Sequence, residues 1–474
     1  MIQRILKGLM IVLSVIISSC QQQKSWNVKD YGAVDDHATV NTTAIQKTID
    51  ECAKAGGGTV LIDGDVFVSG TLLLKDNVDL KITENTTLLG SINPNDYPIV
   101  EPFVDATGQF RGQCFIGAID VKNVSITGKG TIDGHGKMLA PNKVKETLKR
   151  LGIEQEKPDL TGLVSKTNNY VNNNIRLSNR PFLVRMVRSE NVKLQDIHLR
   201  QPAAWTLHFL ECNNFVVDGI SIYSHANRNN DAIDIDSSTN GVIKNCDIDS
   251  GDDAICFKST SPKPTTDVEV YDCKIKSEWG AIKFGTESMG DFKNITVRDC
   301  FVHDTRGGGI KILSADGANA ENILIENIKM ENVEMPIFIR LCERRLVYRN
   351  ADRKPTGSIT NVVIRNIDAT VRELKDCRLA ATTGLFFSGT PNHKLGKISL
   401  ENINITLPGG GTAEHAKTVV PENETQYPEF TMLGITPSYG LYARHIENLK
   451  TKNIVFNLKS EDKREEVVMI DVNN

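Results

Sequence analysis

Residues 231–257 read DAIDIDSSTNGVIKNCDIDSGDDAICF, and two strand-like segments within them share one pattern, Asp231-Ala-Ile-Asp-Ile235 and Asp253-Ala-Ile-Cys-Phe257. The pattern returns in Gly280-Ala-Ile-Lys-Phe284 and Gly308-Gly-Ile-Lys-Ile312, at spacings of 22, 27 and 28 residues. Alternation puts Ile233, Ile235, Ile255, Phe257, Ile282, Phe284, Ile310 and Ile312 on one face. Asp234, Cys256, Lys283 and Lys311 fall on the other. Paired strands lie about 4.8 Å apart, so stacking these segments sets Asp231 beside Asp253, with Asp252 one residue away. Carboxylates gathered so closely repel one another, which implies a chemical use.

A second repeat, of the form Asn-Val-x-Ile-x-Asn-x-x-Ile, recurs at Asn191, Asn214, Asn240, Asn294, Asn322 and Asn361. One apolar slot in it is filled in turn by Ile197, Ile220, Cys246, Cys273, Cys300, Ile328, Ile367, Ile403 and Ile454. The central spacings of 23, 26, 27, 27 and 28 residues suit a solenoid whose coils are too short to hold a helix. The expected fold is all-β, a single-domain right-handed parallel β-helix, with the usual crossover hand assumed. A solenoid grows by adding coils, so the length of 474 residues does not force a division into domains.

The ten cysteines raise the question of a disulfide framework. Cys246, Cys273 and Cys300 take a slot that Ile fills in neighbouring coils, which predicts an interior column of reduced thiols; bridges or metal ligation are the alternative. No Cys/His spacing suits zinc. Asp247, Asp249 and Asp252 lack the terminal Glu of a calcium loop, because Lys258 stands there. Gly56-Gly57-Gly58 is not followed by the Lys-Ser/Thr of a phosphate loop. No metal or other cofactor is expected.

Arg4 and Lys7 precede an apolar run from Leu9 to Ile17, and Ser18-Ser19-Cys20 follows. Residues 1–19 read as a signal peptide. Ile-Ser-Ser-Cys resembles the lipobox of bacterial lipoproteins, which implies lipidation of Cys20, a tether over 20–25 and a β-helix domain over 26–474. The expected location is the bacterial cell envelope, facing the periplasm or the exterior. Without Arg4 and Lys7 the formal charge moves from −4 to −6. That balance gives no indication of nucleic-acid binding. A helix is predicted over Thr43–Ala55, covering the open apolar end of the solenoid, and another over Pro141–Leu151. Insertions at 137–180 and 406–444 are expected to wall a cleft.

The strings YGAVDD, AIQKTIDECAKAGGGTV, LLGS, GTIDGHG, RPFLVR, AAWTLHF, NNDAIDIDS, SGDDAICFKS and GGGIKI, in this order from about Trp26 to Arg340, together resemble glycoside hydrolase family 28, the polygalacturonases and rhamnogalacturonases. The resemblance implies a pectin-lyase-like β-helix and inverting hydrolysis of galacturonate-containing pectin, an acidic plant polysaccharide. It places Asp252 as general acid and Asp231 and Asp253 as the pair that holds and activates water. An acid and a base separated by about 6.5–9.5 Å are expected for inversion. Asn229 falls on the first position of the family's Asn-Thr-Asp motif.

Three departures accompany the resemblance. Gly280-Ala281 stands where polygalacturonases carry His-Gly, and Gly309-Ile310-Lys311 where they carry Arg-Ile-Lys. A later Tyr is absent after Pro336-Ile337. These losses resemble the rhamnogalacturonan-cleaving members, so rhamnogalacturonan is the favoured substrate, with exo-acting polygalacturonase and a β-helix lyase as alternatives. A binding or adhesive β-helix without catalysis is a further class. Lys283 and Lys311, one coil apart, need an anion between them, and a galacturonate carboxylate would serve; surface pairing of Lys283 with Glu287, Glu278 or Asp234 is the other reading. Asp234, Arg340 and His208 complete the substrate-binding candidates, His208 with a structural role as its alternative. Arg344 and Arg345 are further carboxylate candidates, and Trp205 either stacks on a sugar or packs.

Overall fold

The computed structural model describes residues 24–154, 180–349 and 351–473. The signal peptide, Cys20 and most of the tether lie outside the described residues, as does the Asn-rich part of the first insertion. The chain winds into a right-handed parallel β-helix. Three strands make a coil; Asn213–Asp218, Ser221–Ser224 and Ile233–Asp236 form one, and Thr239–Lys244, Asp247–Ser250 and Ile255–Ser259 the next. The register predicted from alternation is the one observed, with Ile233, Ile255, Ile282 and Ile310 as successive partners. The predicted inward side chains are all fully buried. Phe257 and Phe284 stack inside, ring centres 4.5 Å apart.

The asparagine repeat marks a turn that each coil makes in the left-handed region. Asn191, Asn214, Asn240, Asn294, Asn322 and Asn361 have φ between +52° and +59°, a conformation Asn tolerates better than most residues. Their amides also bond from coil to coil: Asn322 donates to Asn294 at 3.0 Å and Asn214 to Asn191 at 2.7 Å. Cys246, Cys273 and Cys300 are free and buried in the interior column, as expected.

Helix α1, Thr42–Lys54, turns Ile45, Ile49 and Cys52 onto the first coils and buries them fully. Helix α2, Pro141–Leu151, starts on its proline and ends at left-handed Gly152. None of the described helices is long and apolar enough to cross a membrane. One element breaks the parallel pattern: Ile99–Val104 pairs antiparallel with Phe110–Ile119. The loop between these strands crosses several coils, and the Ala106 N–H donates to Glu287 at 3.2 Å. On the opposite side, the insertion after Leu407 folds back over the same sheet, ending in the short helix α3, Phe430–Leu433. The outward column of Asp234, Cys256, Lys283 and Lys311 is therefore roofed and buried rather than solvated.

Candidate active site

The strand register brings the three aspartates together just before the outward column begins. The Ala232 N–H donates to the Asp253 carbonyl, and the Ala254 N–H to that of Gly280, so Asp231, Asp253 and Gly280 stack in successive coils. One oxygen from each of Asp231, Asp252 and Asp253 lies within 4.8 Å of the others. These closest oxygens are nearer to one another than the separation of about 6.5–9.5 Å between carboxyl groups expected for inversion. Two of the residues are chain neighbours and the third is one strand spacing away, so the register holds them close.

Their surroundings differ. Asp231 is ion-paired with Lys258 at 3.0 Å, and Asp253 with Lys283 at 2.7 Å. Asp253 also accepts the Gly280 N–H at 3.1 Å. Asp252 has no ammonium partner among the described residues; it accepts backbone N–H groups from Asn229 at 3.2 Å and Asp253 at 2.9 Å. Burial, followed by the charges of Asp231 and Asp253, pushes the Asp252 carboxyl up to about 8. Burial also raises Asp231, against the pull of Lys258. The proton of the cluster therefore belongs on Asp252 near neutral pH.

Lys258 ties the floor together. Besides Asp231 it lies 3.4 Å from both Asp234 and Glu287, and 4.4 Å from the Trp205 ring centre. Burial drives Asp234 well above the usual carboxylate range, and its oxygens have no hydrogen-bond partner among the described residues. Although burial opposes the charge on Glu287, Lys258 and Arg344 hold it below its ordinary value.

A cavity of about 310 Å³ opens over this floor. Asp105 and Thr107 of the antiparallel hairpin border it, as do Trp279 and Tyr427, and Trp205 and Asn229 line it as well. Asn229 Oδ1 accepts from Gln109 at 2.8 Å and Arg180 at 3.1 Å. Of the residues singled out in the sequence, Asp231, Asp252, Asp253, Asn229, Lys283 and Trp205 line the cavity.

The other candidates do not line it. Asp234 lies beneath Lys258. His208 is fully buried, 3.2 Å from Asp236 and packed against the rings of Phe182 and Trp205, so it backs Trp205. Arg340 is held by Ser388 Oγ at 2.6 Å and by the Gly389 and Glu422 carbonyls. Lys311 is fully buried under Glu429 at 2.7 Å. Arg344 is likewise engaged, with Asp316.

The anion expected between Lys283 and Lys311 is part of the chain. Glu429 Oε2 meets Lys311, and its Oε1 lies 3.5 Å from Lys283 and accepts from Trp279 Nε1 at 3.2 Å. The surface partners considered for Lys283 are not the ones found. The positions of the missing His and Arg are also closed by packing. A Cβ on Gly280 would come 2.9 Å from Asp253 Oδ1, and one on Gly309 would come 2.7 Å from Met330 Sδ.

Lys258, Glu287, Tyr427 and Glu429 were not singled out as site residues in the sequence. For Lys258 a signal existed, since it continues the alternation of Asp253–Phe257 onto the outward face. Glu429 reaches Lys311 across 118 residues, and no local pattern announces it.

A parallel β-helix bearing a cluster of aspartates, Asp231 and Asp253 buried and Asp252 half-buried, in a walled cavity is a glycosidase-type architecture. The chain belongs to glycosyl hydrolases family 28, whose sequence model matches residues 52–425. It is similar to the exo-poly-alpha-D-galacturonosidase of Dickeya chrysanthemi, 30% identical over 290 residues that cover 55% of this chain and 47% of that protein. The chain thus spans about half the length of the curated relatives it matches. Two solved structures share the fold: a hyperthermoactive exopolygalacturonase from Thermotoga maritima (TM-score 0.67, 21% identity, 92% of each chain) and the family 28 exopolygalacturonase of Yersinia enterocolitica (TM-score 0.71, 20% identity, 95% of this chain and 78% of that one).

Proposed function

We propose that the protein hydrolyses the galacturonate-containing backbone of pectin from a chain end, with Asp252 as general acid. Asp252 gives its proton to the glycosidic oxygen as the C–O bond breaks. A water held between Asp231 and Asp253 attacks the anomeric carbon and loses its proton to that pair. The observation that carries this reading is the asymmetry of the cluster: each of the two flanking aspartates has its own lysine, and Asp252 has none among the described residues. Chain-end action is supported by the hairpin and the second insertion, which border the cavity. It also agrees with the exo-acting relatives.

Inversion rests on the family motifs at Asn229–Asp231 and Gly251–Asp253. Elimination by a lysine base is disfavoured. Burial opposes the charge on Lys283, yet Asp253, Tyr427 and Glu429 hold its pKa well above the ordinary value, so it keeps its proton.

Rhamnogalacturonan as substrate is a second reading, favoured by the glycines at 280 and 309. Product analysis on end-labelled polygalacturonan and rhamnogalacturonan oligosaccharides separates the cases. Release of only the smallest products supports chain-end cleavage, and an early ladder of sizes contradicts it. Proton NMR during hydrolysis of an α-linkage should show the β-anomer first; an initial α-anomer rules out inversion.

Attachment to the bacterial cell envelope through a lipidated Cys20 belongs to the same proposal. Cys20→Ser should move the protein from the detergent phase to the aqueous phase on phase partitioning, and unchanged partitioning would contradict it.

A further inference from the structure

The lysines that the alternation pattern offers for a uronate are already neutralised from within. Lys283 and Lys311 are register partners and only 2% and 0% exposed. Glu429 stands between them, itself 2% exposed and fixed by the Trp279 indole N–H. With Asp253 on the other side of Lys283, two ammonium groups face two carboxylates. The other lysine lining the cavity among the described residues, Lys258, is shared by Asp231, Asp234 and Glu287. A free carboxylate arriving beside Lys283 would add a third anion to a balanced, buried set in which Lys283, Lys311 and Lys258 each already hold a carboxylate.

The neighbouring wall has a different character. Trp279 and Tyr427 border the cavity next to Lys283; Arg378 and Lys311 lie 4.2 and 5.0 Å from the Trp279 ring centre, and aromatic rings offer an apolar body with a polar tip. Such a surface suits the face of a pyranose ring without needing a charge on it.

We propose that the part of the cavity bounded by Lys283, Trp279 and Tyr427 receives an uncharged sugar unit, and that Glu429 is the specificity-determining residue that excludes a free uronate there. The uncharged unit is either a neutral hexose or deoxyhexose, or a galacturonate whose carboxyl is esterified. Glu429 takes no part in bond cleavage; it occupies the charge position that a uronate would need. The inference rests on the pectic-backbone reading given above.

Three oligosaccharides of equal length test it: free oligogalacturonide, its methyl ester, and a rhamnogalacturonan oligomer in which neutral sugars alternate with uronates. The wild-type protein should show kcat/KM at least about tenfold higher on one of the two with uncharged units, and which one identifies the source of the neutral unit. Glu429→Gln keeps the side-chain shape while removing the charge, and should narrow that ratio about tenfold by gaining activity on the free acid. A change of tenfold corresponds to about 1.4 kcal/mol. Competition on the wild-type protein needs no variant: galactose or rhamnose should inhibit more strongly than galacturonate. Preference of the wild type for the free oligogalacturonide overturns the inference and leaves pectic hydrolysis standing. So does a ratio unchanged in a folded Glu429→Gln variant, or stronger inhibition by galacturonate. Hydrolysis of none of the three overturns the pectic reading and this inference with it.

Discussion

Lys283 Nζ sits 2.7 Å from the Asp253 carboxylate, reaching back across one coil to hold it. Lys258 does the same for Asp231 at 3.0 Å. Two of the three clustered aspartates are thus neutralised by lysines from the strands that follow them, and Asp252, close to both, carries the proton. A two-lysine, three-aspartate arrangement builds an acid beside its base.

The first consequence is an alkaline limb. With the Asp252 carboxyl pushed up to about 8, the acid is protonated below that pH and loses its proton above it. The kcat of the wild-type protein should be level on the neutral side and fall about tenfold for each pH step beyond about 8. A profile already falling by pH 5 would place the proton elsewhere.

Lys258 holds three buried carboxylates, so its removal should be felt as stability as well as turnover. Lys258→Met leaves Asp231, Asp234 and Glu287 without their shared cation and should cost about 3–5 kcal/mol at pH 7. Lowering the pH lets those carboxylates take up protons, so the loss should shrink at pH 5. Urea unfolding at the two pH values measures this; an equal loss at both would show that the charge of Lys258 is not what matters.

His208 predicts acid lability of the Trp205 wall. Burial lowers its pKa to about 4, below the ordinary 6.5, so the folded protein keeps it neutral while the unfolded chain protonates it. Stability from this source is complete above pH 6.5 and is lost as the pH falls towards 4, amounting to about 3 kcal/mol. His208→Gln should unfold with a shallower dependence on pH across that window. Equal slopes for the two proteins would remove His208 as the cause.

The asparagine ladder should be worth more than its exposed position suggests. Asn322 has φ of +56°, donates to Asn294 and accepts from Asn361. Asn322→Ala loses both bonds and strains the turn, at about 1–2 kcal/mol, whereas Asn322→Gly relieves the strain and should cost less. Denaturant midpoints for the two variants rank them; alanine equal to glycine would mean that the turn stores no preference.

The repeat is legible in the sequence because each coil obeys the same local rules. Ile233, Ile255, Ile282 and Ile310 announce the core face, the asparagines announce the turn, and the two together fix the register that sets Asp231 beside Asp253. Helices α1 and α2 could also be read, α1 to within one residue at each end. What the sequence hid lies in the insertions. Glu429, Tyr427 and the 105–109 loop reach the site by folding over a sheet built far away in the chain, and no period carries that information. The error about Lys283 and Lys311 came from the same source. Alternation correctly put them on the outward face, but whether that face meets solvent, substrate or another part of the chain depends on the roof. Arg340 is drawn away from the cavity for the same reason, whereas His208 takes the structural role its sequence context also allowed.

The assignment of Asp252 as proton donor is tested most directly by Asp252→Asn, with turnover and binding measured on the same oligosaccharide. The amide cannot supply the proton, so kcat should fall by roughly 10²–10⁴-fold or more. Titration calorimetry should still detect binding, because the lysine-paired aspartates, Trp279 and Tyr427 remain in place. Turnover retained within a few-fold of wild type would contradict the assignment.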